Sequence, residues 1–251
     1  MLGVEGKTFT PLVHAADSGS MNYFSQGFAK AWELLLHMDA ATVSAVQVTL
    51  GSTFCALCVS LLLGLPFGFL LGYCQFPGKR FLRLISDTLL AFPTVLIGLI
   101  VYAFITRRGP LGEFGLLFTV PGMVIGQALL ALPIITSWVA QAVENLDPRC
   151  RQTLLTLGAT KAQLVFLTIR ELRYAVAMVG VTAFGRVVTE VGIATMLGGN
   201  IRYATRTMTT AIALETSQGE FGQGIALGLV LLLIAFIVNA LLVCLKRRGR
   251  V

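Results

Sequence analysis

Four stretches of this chain carry no Asp, Glu, Lys or Arg: 39 residues between Asp39 and Lys79, 19 between Asp87 and Arg107, 30 between Glu113 and Glu144, and 25 between Glu220 and Lys246. A helix that crosses the hydrocarbon of a bilayer needs about 20 predominantly apolar residues, because each residue advances about 1.5 Å across roughly 30 Å. Backbone N–H and C=O groups find no water there, so these stretches must satisfy their own hydrogen bonds as helices. Composition agrees, since 56% of the residues are hydrophobic and 12% charged, against about 25% charged in a soluble domain. One soluble core cannot hide that much apolar surface, and the fold class predicted is an all-α polytopic membrane protein.

The spans expected are about 44–73, 88–106, 116–143, 174–197 and 221–245, all within one transmembrane domain, 21–251. The fourth is exceptional because Arg186 and Glu190 interrupt it. Counting Lys and Arg on alternate sides puts twelve on one side (clusters at 79–83, 149–173 and 246–250) and six on the other, with Arg186 inside a span. Positive charge concentrates on the cytoplasmic side, so the C-terminus is expected inside and the N-terminus outside. The net charge of +7 therefore marks an anionic membrane face as the partner rather than nucleic acid.

Residues 1–20 are expected to be a disordered tail or the product of an upstream start. Over 23–38, Phe24, Phe28, Trp32, Leu35 and Leu36 share roughly one helical face. That stretch is either an interfacial helix with Trp32 at headgroup level or an extension of the first span. Gly64, Gly68 and Gly72 recur every fourth residue, a bare stripe that lets another backbone approach. Pro66, Pro93 and Pro133 each remove a backbone donor inside a span and are expected to kink it. Cys55 and Cys58 have CxxC spacing but lie in an apolar run without a second pair or a nearby histidine, so they read as small hydrophobes. No catalytic, cofactor or metal residues are predicted.

The stretch 144–173 is the longest polar interruption on the basic side. Asp147 before Pro148 opens a helix, Gly158 ends it, and Thr160 caps a second helix that runs to Leu172. Two short helices with a glycine elbow make a docking surface. The run Gln152-Thr153-Leu154, three residues, Gly158-Ala159-Thr160, then Thr168-Ile169-Arg170-Glu171 resembles the EAA loop of the permease subunits of bacterial ABC importers. The match departs from that signature where Gln152 stands for its Glu and Arg170-Glu171 for its Leu-Pro. With Phe184-Gly185-Arg186, Glu190-Val191-Gly192, Gly198-Gly199-Asn200-Ile201 and the run from Thr205 to Glu215, the resemblance is to the tungstate-type branch, related to molybdate and sulfate permeases. It covers roughly Tyr23 to the C-terminus.

The resemblance implies a type I importer permease in the bacterial cytoplasmic (inner) membrane, working by alternating access. It implies a second copy of the chain, two ATP-binding cassette ATPase subunits, and a periplasmic or lipid-anchored oxyanion-binding protein as partners. ATP and Mg would be bound by the ATPase. Gly72 to Arg80 reads GYCQFPGKR, which has neither the glycine spacing nor the Ser/Thr of a phosphate loop. Gln152, Leu157, Gly158, Ala159, Thr160 and Lys161 are the residues expected to meet the ATPase.

Arg186 and Glu190, four apart, are either an internal ion pair or the mark of a pathway. Together with Asn200, Arg206, Thr207, Thr209 and Thr210 they offer guanidinium, amide and hydroxyl groups to a tetrahedral dianion, or else belong to a solvated outer loop. Permeases for molybdate, sulfate or phosphate fit the same spans, and a channel is the remaining transport alternative. An integral membrane enzyme fits poorly, because the only histidines, His14 and His37, precede the first uncharged run.

Overall fold

A computed structural model describes residues 29, 32–33, 40–146 and 156–248, and most of these are helical with no strand among them. The helices are α1 (Ala40–Tyr73), α2 (Lys79–Leu90), α3 (Thr94–Ile105), α4 (Val120–Glu144), α5 (Lys161–Glu171), α6 (Arg173–Val188), α7 (Gly192–Gly198), α8 (Met208–Gln218) and α9 (Phe221–Arg248). The tail 1–20, almost all of the stretch 23–38, and Gln152 lie outside the described residues.

Among the described residues, helices α1, α4 and α9 are each long and apolar enough to cross a bilayer, and two bent pairs, α2 with α3 and α6 with α7, bring the number of spans there to five at most. The 34 residues of α1 make it about 51 Å long, well beyond the roughly 30 Å of hydrocarbon. Thr119 caps α4, its hydroxyl accepting from the Gly122 N–H at 3.3 Å, and Pro121 sits in the first turn where its missing N–H costs nothing.

The glycine stripe behaves as the sequence suggests. A methyl group built on Gly68 would come within 2.7 Å of the Thr136 carbonyl, and one on Gly72 within 2.7 Å of the Ala140 carbonyl. Gly64 meets Ile135 in the same way, and the Ser60 hydroxyl donates to the Ala128 carbonyl at 3.0 Å. Rising numbers on α1 match rising numbers on α4, so the two helices run parallel, as alternate spans must.

The second expected span is broken near Pro93. Residues 88–106 are not one helix: α2 ends at Leu90, α3 begins at Thr94, and their axes differ by 100°. Pro93, extended at φ −60° and ψ 123°, starts α3, and its ring disfavours helical geometry at Phe92. Pro66 and Pro133, by contrast, lie inside uninterrupted helices. The charge at Asp87, taken as a span boundary, is accommodated within α2: Arg83 Nε lies 3.3 Å from its carboxylate, and the Ser137 hydroxyl of α4 donates to it. Arg83 also donates to the Ser137 carbonyl at 2.9 Å, and Lys79 Nζ lies 3.2 Å from Glu144. These contacts clip α2 along α4.

Three apolar clusters form the interior. One joins α3, α4 and α7 through Val101, Ile105, Met123, Leu130, Ile193 and Leu197. Another joins α4 and α6 through Ile135, Val139, Val179, Ala183 and Val187, with Leu57, Leu61 and Leu65 of α1 against it. The last joins α1, α8 and α9 through Ala45, Met208, Ala211 and Leu227. Large apolar side chains outside them, such as Phe54, Leu62 and Phe67 of α1 and Leu232, Phe236 and Leu241 of α9, are exposed on the outer surface, where hydrocarbon would cover them.

Candidate functional site

The break between α6 and α7 is organised by Glu190. Its Oε2 accepts from Arg186 Nη1 at 3.1 Å, while Oε1 accepts the backbone N–H of Gly192 at 3.0 Å and of Ile193 at 3.4 Å. The Glu190 carbonyl in turn accepts from the Thr209 hydroxyl at 2.9 Å, across to α8. One residue thus ties three helices together through a 63° bend. The two partners differ sharply in exposure: the Glu190 side chain is 5% exposed and that of Arg186 is 46% exposed.

Beyond α7 the chain turns sharply. Gly199 and Asn200 both have left-handed φ values, +69° and +51°, a region that glycine and asparagine enter most readily. The Asn200 Oδ1 accepts from the Thr210 hydroxyl at 3.0 Å, and the buried Thr205 hydroxyl donates to the Gly198 carbonyl. Thr207 caps α8: its hydroxyl accepts from the Thr210 N–H at 3.2 Å, and the Thr210 hydroxyl accepts from the Thr207 N–H at 3.0 Å. The Met208 N–H donates to the Thr49 hydroxyl of α1 at 2.8 Å.

The structure therefore brings Arg186, Glu190, Asn200, Thr207, Thr209 and Thr210 into one connected region, but it does not give them one role. Thr207, Thr209 and Thr210 are buried, with their hydroxyls engaged by the protein itself. Arg206 stands apart, 3.8 Å from Glu215, with its Nε buried and without a partner among the described residues. Beside it is a cavity of about 10 Å³ bordered by Thr42, Arg206, Glu215 and Gln223, with room for a single water. Among the seven groups proposed for an anion, Arg186 alone combines a full positive charge with an exposed side chain.

At the opposite end of the bundle, Gly158 turns the chain at φ +80° with no described residue within 4 Å of where a Cβ would sit, so its conformation is what calls for glycine. Thr160 caps α5 in a reciprocal pair: the Gln163 N–H donates to its hydroxyl at 3.4 Å, and its own N–H donates to Gln163 Oε1 at 2.8 Å. Leu157, Gly158, Ala159, Gln163, Phe166 and Leu167 border an open cleft of about 460 Å³. Leu157 and Phe166 are 77% and 65% exposed, an apolar rim unusual for a solvated elbow. Lys161 is the first residue of α5.

Sequence reasoning missed the Thr49 contact, the Arg206–Glu215 pair and the whole of α8. The last had a legible signal in Thr207-x-x-Thr210 at its start and Gly219 at its end, a cap and a stop around eleven residues.

Residues 64–251 match the family described as binding-protein-dependent transport system inner membrane component. The chain is 48% identical over 227 residues to the tungstate uptake system permease protein TupB of Campylobacter jejuni, covering 90% of this chain and 95% of that protein. It is 36% identical over 226 residues to the protein of the same name from Peptoclostridium acidaminophilum, covering 90% and 99%. Among solved structures, inward-facing conformations of the MetNI methionine ABC transporter match with a TM-score of 0.67 at 18% identity, over 85% of this chain and 96% of that one.

Proposed function

The chain belongs to the binding-protein-dependent transport system inner membrane components, and from that membership we propose that it is the permease subunit of an ATP-driven importer of a tetrahedral oxyanion, tungstate first. The observation that carries the substrate is the 48% identity to a tungstate uptake permease through nearly the whole of both chains. Two copies of the chain form the path, two ATPase subunits bind ATP and Mg and drive it, and an external binding protein delivers the ion. The N-terminus lies outside and the C-terminus in the cytoplasm.

The exposed apolar rim at Leu157 and Phe166 supports the ATPase contact, since such surface in water is stabilised by a partner. Gln152, Leu157, Gly158, Ala159, Thr160 and Lys161 make that contact. Movement of the loop tilts α5 and α6, and the junction at Glu190 passes the tilt to α7 and α8. In the path, Arg186 meets the ion, while Glu190, Asn200, Thr207, Thr209 and Thr210 hold the break that positions it, and Arg206 braces α8 through Glu215. A path must bind its ion weakly enough to release it, and an arginine already half-neutralised by a carboxylate meets that need.

The test is uptake into proteoliposomes that hold the chain with its ATPase, fed by the binding protein loaded with tungstate. ATP-dependent tungstate uptake, competed by excess molybdate more than by sulfate or phosphate, is the expected result. Uptake of another oxyanion with tungstate ignored would replace the substrate, and uptake of none would sink the importer reading.

A further inference from the structure

Arg186 is a cation on the surface of a helix bundle, at a depth where hydrocarbon is the surrounding solvent. The packing fixes that depth. Val187, its neighbour, belongs to the interior cluster with Ala131 and Ile135. Ile193, further along the chain, packs at Gly126, six residues inside the N-terminal end of α4 and so about 9 Å from it. An exposed guanidinium cannot face lipid there without a large cost, so that face of α6 meets water or protein.

The neighbours of Arg186 agree. Thr182, Arg186 and Thr189 recur along one side of α6, and Thr195 continues on α7; Thr189 and Thr195 are exposed, whereas the other sides of α6 are covered by α1, α4 and α9. The outer surfaces of α1 and α9 are lined by Leu and Phe instead. The hydroxyls of Thr182 and Thr195 donate to the Met178 and Val191 carbonyls at 2.8 Å and that of Thr189 to the Gly185 carbonyl at 3.2 Å, so on this side the guanidinium of Arg186 is the group that lipid cannot cover, while the outer surfaces of α1 and α9 are fit for lipid.

Resting on the importer reading above, we propose that the Thr182–Arg186–Thr189 face is apposed to the same face of a second copy across a narrow aqueous path. The two Arg186 side chains together form a transit site for a tetrahedral dianion that neither copy completes alone. Each arginine commits Nη1 to its own Glu190 and keeps its remaining donors for the ion. Two arginines and two glutamates sum to zero charge, so the dianion is attracted by direction of hydrogen bonds rather than by net charge. Glu190 is here a positioning residue: it fixes the guanidinium and weakens its hold, so that the ion leaves.

The test uses the whole complex, permease with ATPase and binding protein, in a background where all five native cysteines are replaced. Arg186→Cys and, separately, Thr189→Cys should each give a dimer of the permease on oxidation or with a short bifunctional maleimide, in at least one nucleotide state. Phe236→Cys, on the lipid side, should not. Failure of both α6 cysteines to cross-link in every nucleotide state overturns the apposition. In uptake assays Arg186→Gln should raise KM for the oxyanion roughly tenfold or more, and Arg186→Lys should fall between it and wild type. Glu190→Gln should lower both KM and the maximal rate, because the freed arginine holds the ion longer, an outcome that simple loss of packing does not give. Wild-type uptake with unchanged KM in Arg186→Gln removes the transit site and leaves the importer standing. A wild type that imports no oxyanion removes both.

Discussion

Glu190 has four hydrogen-bonding partners on three helices, and its replacements should separate them. Glu190→Gln keeps an oxygen for the Gly192 and Ile193 N–H groups and loses the charge opposite Arg186. Glu190→Ala loses both and leaves two backbone donors short of an acceptor. Unmet buried donors cost about 1–3 kcal/mol each, while the pair with a half-exposed arginine is worth less because solvent screens it. Glu190→Ala should therefore lower the melting temperature of the detergent-purified permease clearly more than Glu190→Gln does. Equal shifts would mean that the ion pair, not the backbone contacts, holds the bend. Thr209→Val removes one bond to the Glu190 carbonyl, and hydrogen bonds between membrane helices average about 0.6 kcal/mol, so its shift should be the smallest of the three. The spacing of Arg186 and Glu190 made their pairing legible in the sequence. The role of Thr209 was not legible, because nineteen residues and a reversal of direction separate it from the carbonyl it reaches.

Between elements, fit is decided by glycines whose neighbours differ. A methyl group added at Gly68 or Gly72 would meet the backbone of α4 at 2.7 Å, whereas one added at Gly51, on the same helix, would have nothing within 4 Å. Gly68→Val should destabilise by about 1–3 kcal/mol through overpacking. Gly51→Ala should stabilise by about 0.5–1 kcal/mol, since a helix interior gains from the lost freedom of glycine. Opposite signs in thermal melts would confirm that the stripe is an interface, and losses at both would mean that α1 does not pack on α4 as described. Gly158 tests a different property. Its φ of +80° strains any other residue by about 1–3 kcal/mol, yet the strain is confined to an exposed elbow far from the apolar clusters. Gly158→Val should leave the melting of the spans almost unchanged and depress ATP-coupled uptake several-fold; full uptake would remove the coupling role of the elbow. The longest apolar runs coincide with the long helices α1, α4 and α9, each of which exceeds the bilayer thickness. Helices α2 and α8 are short and end at charges or caps, and their limits are less legible in the sequence. Asp87, where the sequence shows only a charge that ends an apolar run, is held against α4 by Arg83 and Ser137.

For the whole molecule, direction is the property on which the proposed mechanism turns. Helices α1 and α4 run parallel, and the end of α4 at Glu144 meets Lys79 just beyond the end of α1, so these ends lie on one side. The basic residues of the sequence cluster on that same side, and the proposal assigns it to the cytoplasm for that reason. The elbow at Gly158 follows Glu144 and opens the helices that return, which places it where an ATPase can reach, while Arg202 and Tyr203 are exposed on the turn beyond α7, on the opposite side. Single cysteines in a cysteine-free background read this directly with a membrane-impermeant maleimide. Leu157→Cys should label only in inside-out vesicles, and protection should appear when the ATPase is added back. Arg202→Cys should label only in right-side-out vesicles or intact spheroplasts, with protection by the binding protein. The reverse pattern would put the apolar elbow outside, away from any source of ATP, and the same helices would then require a mechanism without nucleotide-driven coupling.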